Sequence, residues 1–70
     1  MKNNPTDLSI KAARVEKGYT QEALAEKLGV SKRAYISWEN GEVIPKPIIM
    51  CGLAYVFGMD VDFLRVPTKK

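Results

Sequence analysis

Apolar residues recur along this chain at spacings of three and four, and glycines separate the apolar segments from one another. Residues at this spacing lie on one face of an α-helix, and glycine readily adopts the left-handed backbone conformation that ends a helix. The pattern therefore predicts an all-α chain of five short helices. Their expected bounds are 7–17, 21–28, 32–40, 47–57 and 61–64, followed by a tail over 66–70.

Short polar side chains precede these segments at positions where they can cap a helix. A serine, threonine or aspartate at such a position accepts a hydrogen bond from a backbone N–H of the first turn. The candidate caps, in chain order, are Thr6 or Asp7, Thr20, Ser31 and Asp60.

The fourth predicted helix contains no charged residue. A helix that is apolar on all sides is normally buried on all sides, but 70 residues provide little chain to cover it. We expect Ile48, Gly52 and Tyr55 to form an exposed patch for self-association or for a protein partner. The alternative is that the tail folds back over this helix. The inner face is expected to comprise Met50, Leu53, Ala54 and Phe57.

The chain has 70 residues, a formal net charge of +3 and no histidine. From this length we expect one domain, 1–70, without a second catalytic or ligand-binding domain. The charge favours a polyanionic partner only weakly. Without histidine, paired carboxylates or a nucleophile beside a base, the sequence indicates that the chain is not an enzyme. No metal site or small cofactor is expected.

The single cysteine, Cys51, cannot form an internal disulfide and is expected to be a buried, small apolar residue. A lone cysteine fits a reducing compartment. No apolar run approaches the length of about 18 residues that spans a bilayer, and no apolar stretch follows Met1 and Lys2. We therefore expect no membrane segment, no secretory signal and a cytoplasmic location.

The segment 20–41 carries the functional signal, because its two short predicted helices flank a tight turn at Gly29. Ala25 is small where the two helices must cross closely, and Val30 can fill the turn with an apolar side chain. Such a unit holds its second helix at a steep angle, free to enter the major groove of DNA.

This segment resembles the Cro/repressor family, the XRE-type helix-turn-helix regulators of bacteria and phages. The family shows the run TQ-x-x-LA-x-x-LGVS, then an apolar residue, Glu and often Asn-Gly, then Pro, an apolar helix and G-x-x-x-D-x-L. The resemblance spans about residues 8–64 and implies a lambda-repressor-like fold. The matching residues are Thr20-Gln21, Leu24-Ala25, Leu28-Gly29-Val30-Ser31, Trp38-Glu39-Asn40-Gly41, Pro45, Gly58 and Asp62 to Leu64.

The resemblance implies that helix 32–40 reads bases through Lys32, Arg33 and Ser37, which also lie on its outward face by helical geometry. Arg33 can bond guanine O6 and N7 in a bidentate fork, and Lys32 can bond the same acceptors or a phosphate. The alternative is that both cations are a solvated helix start. Ile36 on the outward face would touch a thymine methyl or mark a protein contact.

The resemblance also implies contacts to the DNA backbone. In the family, the glutamine that matches Gln21 touches a phosphate at a helix N-terminus. Asn40 and the N–H groups around Gly41 are expected to be placed similarly, and Thr20 and Lys46 are assigned to the same group. The alternative for Gln21 is a surface position without contact.

Two further positions affect this interpretation. In several phage repressors, residues matching Arg14 and Glu39 form a largely buried ion pair, and the alternative here is two separate surface charges. Removing one partner of a buried pair would cost about 3–5 kcal/mol. Glu42 stands where the family often has Lys or Arg, so its negative charge is expected to weaken DNA binding.

The sequence therefore predicts a sequence-specific transcription regulator that occupies a double-stranded DNA operator, with a homodimer as the expected assembly. The alternative is a modulator, antirepressor or antitoxin that acts by binding another protein, such as a repressor. Glu42, Ile36 and the low net charge leave this alternative open.

Overall fold

Four α-helices and one 3-10 turn follow one another within residues 8–68, the residues that this computed structural model describes. The all-α fold class is confirmed, but the expected fifth helix is only a 3-10 turn. The predicted third helix also ends one residue earlier than expected. The elements are α1 (Ile10–Lys17), α2 (Gln21–Leu28), α3 (Lys32–Glu39), α4 (Pro47–Phe57) and the 3-10 turn Val61–Phe63.

Hydroxyl side chains fix the starts of the first three helices. Thr20 Oγ1 accepts from the N–H of Ala23 at 3.0 Å and Ser31 Oγ accepts from the N–H of Ala34 at 3.1 Å. At the fourth helix Pro47 supplies a preset backbone angle instead. These local signals explain why the starts of α2, α3 and α4 fall where the sequence pattern places them.

The start of α1 differs from the prediction. Ser9, and not Thr6 or Asp7, caps this helix, and its Oγ accepts from the N–H of Ala12 at 3.1 Å. The preceding Leu8 is held in an isolated parallel bridge with Leu64. Its N–H donates to the carbonyl of Phe63 at 2.9 Å, so α1 cannot extend back through it. Thr6 and Asp7 lie outside the described residues.

The helices enclose one apolar core, and each α-helix contributes at least one buried side chain to it. The predicted inner face of α4 is buried as expected. Tyr35 and Leu24 from the two central helices are fully buried as well. The buried set is Ile10, Ala13, Leu24, Ala25, Tyr35, Met50, Leu53, Ala54, Phe57 and Leu64.

The outer face of α4 remains uncovered by the described part of the chain. Ile48 is 77% exposed and Tyr55 is 87% exposed. Gly52 is half-buried, and a Cβ placed there would lie 3.8 Å from a methyl of Leu28, so its close neighbour is α2. Cys51 is exposed, contrary to the prediction. It lies three residues from Ile48 and four from Tyr55, which places it on the same outer face.

Among the described residues, no helix combines the length and the apolar character that a membrane crossing requires.

Candidate nucleic-acid interface

α2 and α3 form a helix-turn-helix unit around Gly29. This glycine has φ +76°, a left-handed conformation that L side chains rarely adopt. The next N–H, that of Val30, donates back to the carbonyl of Ala25 at 3.0 Å. Val30 is half-buried and packs against the core, so it fills the turn as the sequence suggests. The turn therefore fixes the direction in which α3 leaves α2.

The two cations at the start of α3 are free to meet a ligand. Lys32 and Arg33 are exposed in its first turn, immediately after the cap Ser31. Within residues 8–68, neither of them forms an ion pair. The structure thus places both predicted base-reading cations together at one end of one helix.

The two other predicted base-reading residues are less exposed. The hydroxyl of Ser37 donates to the carbonyl of Ala34 at 2.7 Å, which leaves its oxygen as an acceptor only. Ile36 was expected on the outward face, but it is half-buried and packs against the core. It directly follows the buried Tyr35, and about 100° of helical rotation places it at the edge of the buried face.

The turn after α3 uses its own backbone groups. Gly41 is buried with φ +77°, and its N–H donates to the carbonyl of Trp38 at 3.2 Å. The N–H of Glu42 donates to the carbonyl of Ser37 at 2.9 Å. These N–H groups are therefore not free for a phosphate, contrary to the expectation for Gly41. The side chain of Asn40 remains exposed, as does that of Glu42.

Thr20 and Lys46 are exposed at the starts of α2 and α4, where they stand as the N-cap residues. Because the hydroxyl of Thr20 already accepts from Ala23, a phosphate contact there would have to use the hydroxyl proton. Lys46 is exposed and forms no ion pair within residues 8–68, so its ammonium is available there.

Behind the exposed face of α3 lies a cluster of four polar side chains centred on Glu39, the last residue of that helix. Arg14 of α1 donates through Nε to Glu39 Oε2 at 2.8 Å, and the two side chains are only 12% and 3% exposed. Arg14 also donates through Nη1 to the carbonyl of Tyr19 at 2.8 Å. Arg14 and Glu39 thus form a largely buried ion pair and not two separate surface charges.

The cluster contains two further donors that the sequence analysis did not place there. Gln21 of α2 donates through Nε2 to Glu39 Oε1 at 2.8 Å. The hydroxyl of Tyr35 donates to Glu39 Oε2. Tyr35 and Glu39 are four residues apart on one helix, a spacing that could have indicated their contact. We call Arg14, Gln21, Tyr35 and Glu39 the Glu39 cluster.

Ionisation within the cluster follows from these bonds. Burial alone would raise the pKa of Glu39, but hydrogen bonds from Arg14, Tyr35 and Gln21 outweigh it and lower that pKa below 4.5. The hydrogen bond to Glu39 raises the pKa of Arg14. Burial, then the bond to the same carboxylate, raises the pKa of Tyr35, which therefore stays protonated as a donor. The cluster is a carboxylate held by three donors from three helices.

Acid should weaken the fold through Glu39. Because the pKa of Glu39 is lower in the folded chain than its ordinary value of 4.5, the folded state favours the charged form. This stabilisation is fully present above pH 4.5 and is lost as the pH falls through the lowered pKa of the folded state. We expect the melting temperature of the wild type to fall over that window. The melting temperature of Glu39→Gln, which has no carboxyl at this position, should fall less over the same pH range. Circular dichroism measures both proteins. If their melting temperatures fell in parallel with pH, Glu39 would not be the group that stabilises the fold above this window.

Comparison with known proteins agrees with this geometry. The model of the Helix-turn-helix family matches residues 10–64 of the chain. An SPbeta prophage-derived uncharacterized HTH-type transcriptional regulator, YonR of Bacillus subtilis (strain 168), is 33% identical over 55 residues, which cover 79% of this chain and 51% of that protein. The chain thus spans about half the length of this relative.

The match to a second relative covers most of both proteins. The uncharacterized HTH-type transcriptional regulator YazB of the same organism is 38% identical over 60 residues, which cover 86% of this chain and 87% of that protein. No solved structure matches the chain. Within the described residues, no group of acidic, cysteine or histidine side chains is arranged to hold a metal ion.

Proposed function

Because the chain belongs to the helix-turn-helix family of DNA-binding transcription regulators, of the Cro/repressor or XRE type, we propose that α3 is its reading helix. In this proposal α3 enters the major groove of a double-stranded operator and the first turn, with Lys32 and Arg33, reaches the base edges. Ser37 would accept a hydrogen bond from a base, and the partly buried Ile36 would contribute at most a methyl contact.

The observation that carries this proposal is the pair of exposed cations on a rigidly held helix, neither of which forms an ion pair within residues 8–68. A base contact requires a side chain that reaches outward and a backbone that does not shift under it. The first requirement is met by the exposure of Lys32 and Arg33. The second is met by the turn at Gly29 and by the buried Glu39 at opposite ends of α3.

Backbone contacts complete the proposed interface. Thr20, Asn40 and Lys46 would face phosphates on either side of the groove, whereas Gly41 contributes only the shape of its turn and the amide of Gln21 is engaged by Glu39. Glu42 would reduce the affinity by repelling the backbone, so binding should be moderate and sensitive to salt. A DNA-binding regulator acts where the DNA lies, which in a bacterial host is the cytoplasm.

The rival function, a modulator, antirepressor or antitoxin without DNA affinity of its own, is not favoured. The two relatives are both named as HTH-type transcriptional regulators. The family is one of DNA-binding proteins and not of enzymes.

Selection of DNA ligands tests the proposed function. The purified chain is incubated with a random library of duplexes at about 50 mM salt, and bound duplexes are amplified over successive rounds. We expect enrichment of one short sequence motif, with affinity that falls steeply as salt is raised. A folded chain that enriches no motif and retains no duplex at low salt would overturn the proposal.

We further propose that the exposed face of α4 binds a second copy of this chain. The face consists of Ile48, Cys51 and Tyr55, in which a small residue lies midway between two large ones. Two such faces fit each other when the helices run antiparallel, since each Ile48 then lies beside the partner copy's tyrosine. The charges that flank α4 have opposite signs, because Lys46 precedes the helix and Asp60 follows it. Antiparallel packing therefore avoids placing like charges beside each other.

A charge placed in this face should prevent association. Tyr55→Lys is expected to weaken dimerisation by about tenfold or more, because an unpaired ammonium would have to be buried. Sedimentation equilibrium measures the dissociation constant of the wild type and the variant. Val15→Lys is the matched control, since Val15 is also apolar and is 59% exposed on α1. A wild type that stays monomeric at millimolar concentration, or equal effects of the two variants, would contradict the interface.

A further inference from the structure

Gln21 is the only residue of α2 that donates to Glu39, and it alone engages Oε1 of that carboxylate within residues 8–68. The other oxygen, Oε2, accepts from Arg14 and from Tyr35. Because Tyr35 belongs to α3 itself, only two bonds of the cluster tie the end of α3 to other helices. One comes from α1 through Arg14, and the other comes from α2 through Gln21.

Two attachments from different helices hold the end of α3 more firmly than one. With Arg14 alone, no side-chain hydrogen bond of the cluster would tie this end of α3 to α2. The bond from Gln21 to Oε1 supplies that tie. Because a carboxylate has no proton to donate, the amide of Gln21 must present Nε2 to it, so the orientation of the amide is fixed as well.

A small pivot at this end of α3 has a large effect at the other end. Arg33 lies six residues before Glu39, which is about 9 Å along the helix axis. A rotation of about 10° around Glu39 would therefore move the start of α3 by about 1.6 Å. That displacement is enough to break a hydrogen bond whose donor and acceptor must lie within about 3.2 Å.

We propose that Gln21 is a specificity-determining positioning residue, which sets the docking angle of α3 through its bond to Glu39. This inference rests on the proposed function, because it presumes that α3 reads DNA. It assigns to Gln21 a role that a phosphate contact alone would not have. A phosphate contact strengthens binding to every duplex equally, whereas a docking angle affects only the duplexes whose bases are read.

Gln21→Met tests the inference, because methionine keeps the length of the side chain and removes its hydrogen bond. Binding is measured below the melting transition with two duplexes, the one selected by the wild type and a shuffled duplex of the same composition. We expect the ratio of the two affinities to fall about five- to tenfold, within the range for loss of one bidentate base contact. Affinity for the shuffled duplex should hardly change.

Other outcomes each overturn the inference. Equal weakening on both duplexes would make Gln21 a simple phosphate contact, and unchanged affinities would make its bond purely structural. Ala23→Met, an exposed position in the same turn of α2, is the control for the new side chain. A wild type that selects no duplex at all would refute the proposed function, which is a result distinct from these two.

In the free protein, side-chain amide exchange offers an independent check. One Nε2 proton of Gln21 should be protected in the wild type and should lose its protection in Glu39→Ala measured under folding conditions. Rapid exchange of both protons in the wild type would show that the bond to Glu39 is absent in solution, and the inference would fail.

Discussion

Replacing Glu39 with alanine is expected to destabilise the fold by about 3–5 kcal/mol, the cost of removing one partner from a buried ion pair. Within residues 8–68, the substitution leaves the guanidinium of Arg14 with only the carbonyl of Tyr19, and it leaves the hydroxyl of Tyr35 without its acceptor. A chain of 70 residues has a total stability of about 4–10 kcal/mol. Loss of this one carboxylate therefore removes a large fraction of it.

Thermal unfolding followed by circular dichroism measures this effect. Because 1 kcal/mol moves the midpoint of a domain this small by about 4–8 °C, the melting temperature should fall by more than about 12 °C. Glu42→Ala is the matched control, since Glu42 carries the same side chain three residues later and is exposed. It should change stability by less than about 0.5 kcal/mol. A Glu39→Ala variant that melts within 3 °C of this control would show that the cluster contributes little.

The parts of the fold that follow from local chemistry were predictable from the sequence. Thr20 and Ser31 each lie three residues before the N–H that they cap, so the starts of α2 and α3 can be read directly from residue spacing. The buried face of α4 can also be read directly from the sequence, because its apolar residues recur at helical spacing. The start of α1 was not predictable, because the bridge between Leu8 and Leu64 depends on residues 56 positions apart.

In the candidate site, too, features set by nearby residues were predictable from the sequence, whereas contacts between distant residues were not. Exposure of Lys32 and Arg33 follows from their place in the first turn after a cap. The role of Gln21 does not, because its partner Glu39 lies 18 residues away and is brought to it by the turn between two helices. Cys51 was wrongly expected to be buried, since hydrophobicity alone does not tell which face of an uncharged helix the rest of the chain covers.

Arg33→Ala should remove sequence discrimination and not merely reduce binding. If Arg33 forms a bidentate fork with a guanine, its loss costs about 1–3 kcal/mol on the selected duplex, or about five- to 150-fold in affinity. The preference should relax at one base position of the selected motif and persist at the others. Lys32→Ala is the comparison, because a residue with mixed base and phosphate contacts should weaken binding more evenly across duplexes.

Repeating the library selection with each variant, followed by titration at two salt concentrations, separates these roles. A phosphate contact that is lost lowers the slope of log affinity against log salt by about one unit, whereas a lost base contact leaves this slope nearly unchanged. We expect Lys32→Ala to lower this slope and Arg33→Ala to leave it nearly unchanged. An Arg33→Ala variant that keeps full affinity and enriches the wild-type motif at every position would show that another part of the chain reads the bases.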